Sequence, residues 1–142
     1  MKIKPIVKNY IQTRHTSFKV DLMLETNITF ITGESGSGKT TLYSILLEYA
    51  TDDNSIRCFN YLDYNKAYKS SIKRSKGRLF VIDNADILLD DKMRSYIAFD
   101  DKNQYIIIGR NPTGLQLTVD EIFGLKSETV DCVTIFSLKK SF

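Results

Sequence analysis

The stretch ITFITGESGSGKTTLYSILLEY, residues 28–49, runs from a β-branched apolar segment into three glycines, a lysine and two threonines, then a helical pattern. ITFIT predicts a buried strand over 28–32, and Leu42, Ile45, Leu46 and Tyr49 predict a helix over 40–50. Between them, Gly33, Glu34, Ser35, Gly36, Ser37, Gly38, Lys39 and Thr40 satisfy G-x-x-x-x-G-K-[ST], with Thr41 following. Each part of that pattern has a task. Glycines let successive backbone N–H groups curl inward around an anion. The helix behind them turns its positive end toward the same point. Lys39 supplies a compact charge for β and γ phosphates, and the Thr40 hydroxyl suits a magnesium ion. A strand before the loop and a helix after it are the context this chemistry needs.

Outward from this loop, apolar runs alternate with helical patterns. Residues 3–12 and 17–24 read as two short N-terminal strands, with 18–24 alternating apolar and polar. Further strands are predicted at 56–62, 78–83, 104–109 and 132–138, and helices at 93–99 and 118–124. In the last helix Thr118 stands as N-cap, Asp120 and Glu121 in the first turn and Gly124 at the close. Tyr64, Tyr68 and Ile72 stand four apart and predict one more buried helix face. Continuous apolar strands separated by helices argue a parallel sheet covered on both faces. In such sheets ligands sit beyond the C-terminal strand ends, where Gly33, Asp83 and Arg110 all fall.

The whole chain bounds the reading. Its 142 residues suit one domain, read as a hairpin element over 1–27 and a core over 28–142. The apolar fraction of 42% is enough for a core, and a net charge of +3 is too small to require a nucleic-acid partner. Cys58 and Cys132 each sit in an apolar run, without a CxxC motif, and read as buried free thiols. His15 is the only histidine, which disfavours a histidine-based metal centre. No apolar run approaches the roughly 18 residues of a membrane span, and the N-terminus lacks a signal-peptide core. A cytoplasmic location is the expectation.

LFVIDNAD, residues 79–86, is the second constellation: four apolar residues end in Asp83. GESGSGKTTL resembles the Walker A motif of P-loop NTPases, in particular ATP-binding-cassette and SMC/RecF-type ATPases. LFVIDNAD and QYIIIGRNP are similar to the Walker B and sensor 1 strands of cassette-type and AAA+ ATPases. The resemblance implies a three-layer α/β sandwich. Its mainly parallel five-stranded sheet would have order 5-1-4-3-2, preceded by a short β-hairpin. It also implies ATP and Mg2+ as ligands, with Gly33 to Thr41 around the phosphates and Thr40 and Asp83 at the metal. An aromatic of the N-terminal strands, Tyr10 or Phe18, is the counterpart of the adenine-stacking residue of cassette ATPases.

The departures from those families are specific. No LSGGQ-like signature, helical lid or NKxD base-reading motif is present. Asn84 follows Asp83 where these ATPases usually carry glutamate, and asparagine cannot accept a proton. General-base help is worth about 10²–10⁴-fold, so nucleotide binding is expected to outlast rapid hydrolysis. Asp86 is the nearest replacement carboxylate, either a base or a cap for the next helix. Arg110 reads as a γ-phosphate sensor, with Asn111 as second candidate, or as a surface arginine pairing near Asp90 and Asp91. The basic residues Lys66, Lys69, Lys73, Arg74, Lys76 and Arg78 read as a solvated helix face, or as a surface for nucleic acid or a protein partner. Two functions follow: a weak or partner-stimulated ATPase with Lys39, Asp83, Asp86 and Arg110 as its catalytic group, and a non-hydrolysing nucleotide-dependent switch. A homo-oligomer is compatible with both. A small-molecule kinase is disfavoured, because no arginine-rich lid can be read.

Overall fold

In the computed structural model the described residues are 4–33, 38–64 and 67–141. The chain opens with an antiparallel pair, β1 (Tyr10–His15) and β2 (Phe18–Met23). The loop strand β3 (Ile28–Thr32) and helix α1 (Lys39–Ala50) follow, then β4 (Ile56–Phe59), α2 (Tyr68–Arg74) and β5 (Leu79–Ile82). Two helices, α3 (Ala85–Leu88) and α4 (Asp91–Phe99), precede β6 (Gln104–Ile108). A long hairpin, β7 (Ile122–Val130) and β8 (Val133–Lys140), completes the described elements.

All eight strands join one sheet in the order β1-β2-β8-β7-β3-β6-β5-β4. This corrects the five-stranded, mainly parallel expectation: the sheet is larger and mixed. Its inner part does follow the expected connectivity, because β3-β6-β5-β4 is a parallel run of first, fourth, third and second strands. The strand beside β3 is β7, not residues 132–138. Those residues lie one place further out, in β8, antiparallel to β7 and parallel to β2.

The helix expected over 118–124 is also corrected. Thr118 and Glu121 do form a reciprocal capping box, but it closes one 3-10 turn, Val119–Glu121, and the chain then extends into β7. A cap says where a turn begins, not how far it continues. Gly124 is a strand residue, and the methylenes of Lys139 on β8 lie where its side chain would be. The β7–β8 turn carries Asp131 and Cys132, both at positive φ, 52° and 66°. That backbone suits a two-residue hairpin, but Asp-Cys lacks the glycine that usually announces one.

Alternation along the central strands builds two cores. Ile31, Val81, Ile106 and Ile108 face α1, where Leu42, Ile45 and Leu46 are buried. Phe30, Phe80, Ile82, Tyr105 and Ile107 face the other way, onto Tyr68 and Ile72 of α2 and Met93 and Ile97 of α4. Every residue of β6 is buried, as a strand covered on both faces requires. Ile11, Val20, Leu22, Leu125 and Phe136 join the α1 side, so the outer strands curl around that helix. Tyr64 is not part of the buried helix face; it precedes α2 and is 60% exposed. Cys132 is exposed rather than buried, whereas Cys58 is partly covered and burial pushes its thiol up to about 12.

At the N-terminal ends of the strands, Gln104 anchors the segment before β1. Its side-chain oxygen accepts from Val7 N at 2.9 Å and Lys8 N at 2.8 Å, and its amide donates to Lys8 O at 2.7 Å. Lys8 also pairs with Asp53 at 2.9 Å, tying this segment to the end of α1. The opposite edge of the sheet is left to the site.

Candidate functional site

Parallel register brings the strand ends together. Ile31 of β3 is level with Ile108 of β6, and Ile82 of β5 is level with Ile107. Gly33, Asp83 and Gly109–Arg110 therefore leave the sheet side by side, and Gly109 N donates to Ile31 O at 3.1 Å. A cavity of about 400 Å³ opens there, lined by Gly38, Lys39, Thr40, Thr41, Asp83, Asn84, Asp86, Ile108, Gly109 and Arg110. Glu34, Ser35, Gly36 and Ser37, expected to cradle phosphates, lie outside the described residues.

Gly38 opens α1 at φ 99°, a left-handed conformation that costs glycine little. It has a second reason to be glycine. A Cβ there would stand 2.6 Å from the Phe136 ring of β8. Phe136 is stacked on Phe18 of β2, ring centroids 5.8 Å apart, so two outer strands pack against the start of α1. No acidic residue occupies the first turn of α1 and, among the described residues, no side chain caps it; the positive helix end lines the cavity.

Lys39 donates to the carbonyl oxygen of Gly33. Burial first, and the nearby Arg110 charge second, hold its ammonium below the ordinary lysine range, against the pull of Asp86 and Asp83. Two cations thus address one cavity. Asp83 shows the converse: burial raises its carboxyl, opposed by the Asn84 N–H, which donates to Oδ1 at 2.9 Å, and by Lys39.

Asn84 takes a left-handed backbone, φ 51° and ψ 44°, between β5 and α3. Its carbonyl accepts from Ile87 N and Leu88 N, both at 3.0 Å, so it forms the α3 start through its backbone. Asparagine is among the few non-glycine residues that visit this region readily. Asp86 does not cap its own helix through its side chain. Its two oxygens accept from Arg110 N at 2.8 Å and Asn111 N at 2.9 Å. Arg110 lines the cavity, while Asp90, one of its candidate surface partners, is engaged by Lys69 at 2.5 Å and caps α4 through Met93 N. The Asn111 side chain is used locally, accepting from Thr113 N and Oγ1 at 3.0 and 2.5 Å.

The sequence reading missed Arg94. This α4 residue is 6% exposed and sits behind the Arg110 loop. In sequence it is one more charge on a helix; only an arginine set among the buried positions Met93 and Ile97 hints at its place.

On the other side of Thr41 a pocket of about 230 Å³ is lined by His15, Thr16, Phe18, Thr41, Ser44, Ile45 and Glu48. It places Phe18 beside α1, whereas Tyr10 pairs across the β1–β2 hairpin with Met23. The basic stretch is partly neutralised within the fold: Lys69 pairs with Asp90, Lys73 lies 5.7 Å from the Tyr96 ring centroid and Arg78 donates to Asn54 O. Lys66 lies outside the described residues. Among the described residues no helix is long and apolar enough to cross a membrane.

A family model described as Novel STAND NTPase 3 matches residues 10–109. No curated protein matches the chain. A solved structure described as RNase-L Inhibitor is similar at 10% identity and a TM-score of 0.49, covering 99% of this chain and 41% of that one. The chain therefore spans less than half of that structure's length.

Proposed function

We propose, from the premise that this chain belongs to the Novel STAND NTPase 3 family, that it binds ATP with Mg2+ and hydrolyses it slowly or with stimulation by a partner. The observation that carries the reading is the shared cavity, where the open start of α1, Lys39 and Arg110 face the carboxyl of Asp83. An anion of several charges relieves the Lys39–Arg110 repulsion and meets the N–H groups at the start of α1. The relationship to P-loop NTPases rests on the family; its placement near cassette or AAA+ ATPases rests on the motifs.

The donor set fits magnesium. Thr40 and Asp83 line one cavity and offer hard oxygens. Among the described residues no group of three or more His, Cys, Asp or Glu could hold a metal, and Mg2+ typically takes its remaining ligands from phosphate and water. Bound there, the ion would be held by Thr40 and Asp83 and would supply neutralisation of phosphate charge. This chain's residues do the rest: Lys39 holds the phosphates and Arg110 reaches the terminal one. Phe18, which lines the pocket beyond Thr41, is the aromatic proposed to stack on a base.

Among the described residues, proton removal from the attacking water is the step without an assigned agent. Asn84 cannot accept a proton, and both Asp86 oxygens already accept main-chain N–H groups. Low intrinsic turnover follows, with a protein partner or second copy as a source of the missing group. The second reading, a nucleotide-dependent switch that does not hydrolyse, rests on the same residue. Residues 1–142 are read as one unit, and the surface around 66–78 remains the candidate for nucleic acid or protein.

Calorimetry with ATP·Mg2+, paired with steady-state phosphate release, tests the proposal. Expected are ATP binding, lost in Lys39→Ala, and slow turnover lost with it. Tight binding without turnover selects the switch, and no binding at all removes both readings.

A further inference from the structure

The geometry points to Arg94 as a positioning residue that builds the loop presenting Arg110 to the phosphate cavity. This deepens the proposed function and rests on the reading that a triphosphate occupies that cavity.

The guanidinium is spent on this one loop and its neighbour. Nη1 donates to Asn111 O at 2.6 Å and to Thr113 O at 2.8 Å. Nε reaches Leu89 O at 3.5 Å, and Nη2 stands 3.6 Å from Asp86 Oδ1. Asp86 in turn takes the N–H groups of Arg110 and Asn111. Carbonyls of the loop are thus held from α4 and its amides from α3, so the backbone on both sides of Arg110 is fixed. Packing closes the unit. A Cβ on Gly109 would stand 3.2 Å from Asp86 Oδ1 and 3.3 Å from the Ala85 methyl. Gly114, at φ 86°, lies against the Arg94 stem, where a Cβ would be 3.4 Å from its Cβ.

A buried arginine with this many directed bonds is expensive unless each is made, and lysine cannot reproduce the planar fork. Asp86 also begins two residues after Asn84. The loop bearing Arg110 and the segment bearing Asp83 are therefore joined through one carboxylate, and a terminal phosphate contacting Arg110 is sensed by α3 and α4 together.

Arg94→Lys keeps the charge and loses the fork; Asp86→Asn is the second variant, should Arg94→Lys fail to fold. Hydrogen exchange on the nucleotide-free protein is the first readout. Faster exchange at residues 109–114, with the amides of α1 and β3 unchanged, is expected in either variant. Titration with ATP·Mg2+ and ADP·Mg2+ is the second. Arg94→Lys should weaken ATP about tenfold and leave ADP within about twofold, and adding it to Arg110→Ala should cost ATP nothing further. Unchanged exchange at 109–114, equal loss of ATP and ADP, or full additivity with Arg110→Ala overturns the assignment. If the wild-type chain binds neither nucleotide, the proposed function falls, and the exchange arm alone decides whether Arg94 positions the loop.

Discussion

Asn84 carries two kinds of information that the sequence merges into one letter. Against the cassette-type motif that residues 79–86 resemble, it stands where a glutamate is usual. In the fold it is a left-handed residue whose backbone starts α3. The two can be separated. Asn84→Glu should cost about 1 kcal/mol of stability, because an ordinary side chain pays that in this backbone region, while Asn84→Gly should stay within about 0.5 kcal/mol. If the missing carboxylate alone limits hydrolysis, Asn84→Glu should also raise phosphate release by about tenfold or more. Urea unfolding and a phosphate-release assay read the two effects independently. Gly38 is constrained twice over, by φ 99° and by the Phe136 ring. Gly38→Ala should therefore destabilise by more than about 1 kcal/mol and weaken nucleotide binding together, seen by thermal melting with and without ATP.

Among elements, the apolar strands were the most legible. β3, β5 and β6 are short runs buried on both faces, and a one-residue error at their ends changes nothing about what they carry. β7 was not legible, because only its first half is buried and its entrance copies a helix start. The segment before β1 adds a pH dependence. Hydrogen bonds from Ser55 first, then from Lys8, hold the Asp53 carboxyl down to about 2, below its ordinary 3.8. A carboxyl lowered on folding stabilises fully above its unfolded value and loses that contribution as pH falls through the folded one. Solvent screening at this half-open ion pair limits the effect to about 1 kcal/mol. Asp53→Asn should thus be less stable than wild type by about that much at neutral pH. The gap should close between pH 3.8 and about 2, read by denaturant midpoints.

At the scale of the molecule, the outer strands pack against the start of α1. β8 lies beyond the family-matched residues 10–109, yet its Phe136 touches Gly38 and stacks on Phe18. Phe136→Ala should cost about 3 kcal/mol through the cavity it leaves, and the loosened start of α1 should lower nucleotide affinity beyond what stability explains. Calorimetry at a temperature where the variant is fully folded checks this. Unchanged affinity there would confine Phe136 to the core.

What the sequence by itself determined was local and periodic: the strand and helix on either side of the glycine loop and the buried runs, while the order of the inner strands came from the motif resemblance. A motif is spelled by adjacent residues, and burial on both faces leaves no polar position to obscure a strand. Only the tertiary structure decided that β7 stands beside β3, that β8 and β2 close over α1, and that Asp86 and Arg94 serve the Arg110 loop. Those are pairings between residues far apart in the chain. Their side chains are ordinary ones, and their meaning comes from the partner that the fold brings opposite them.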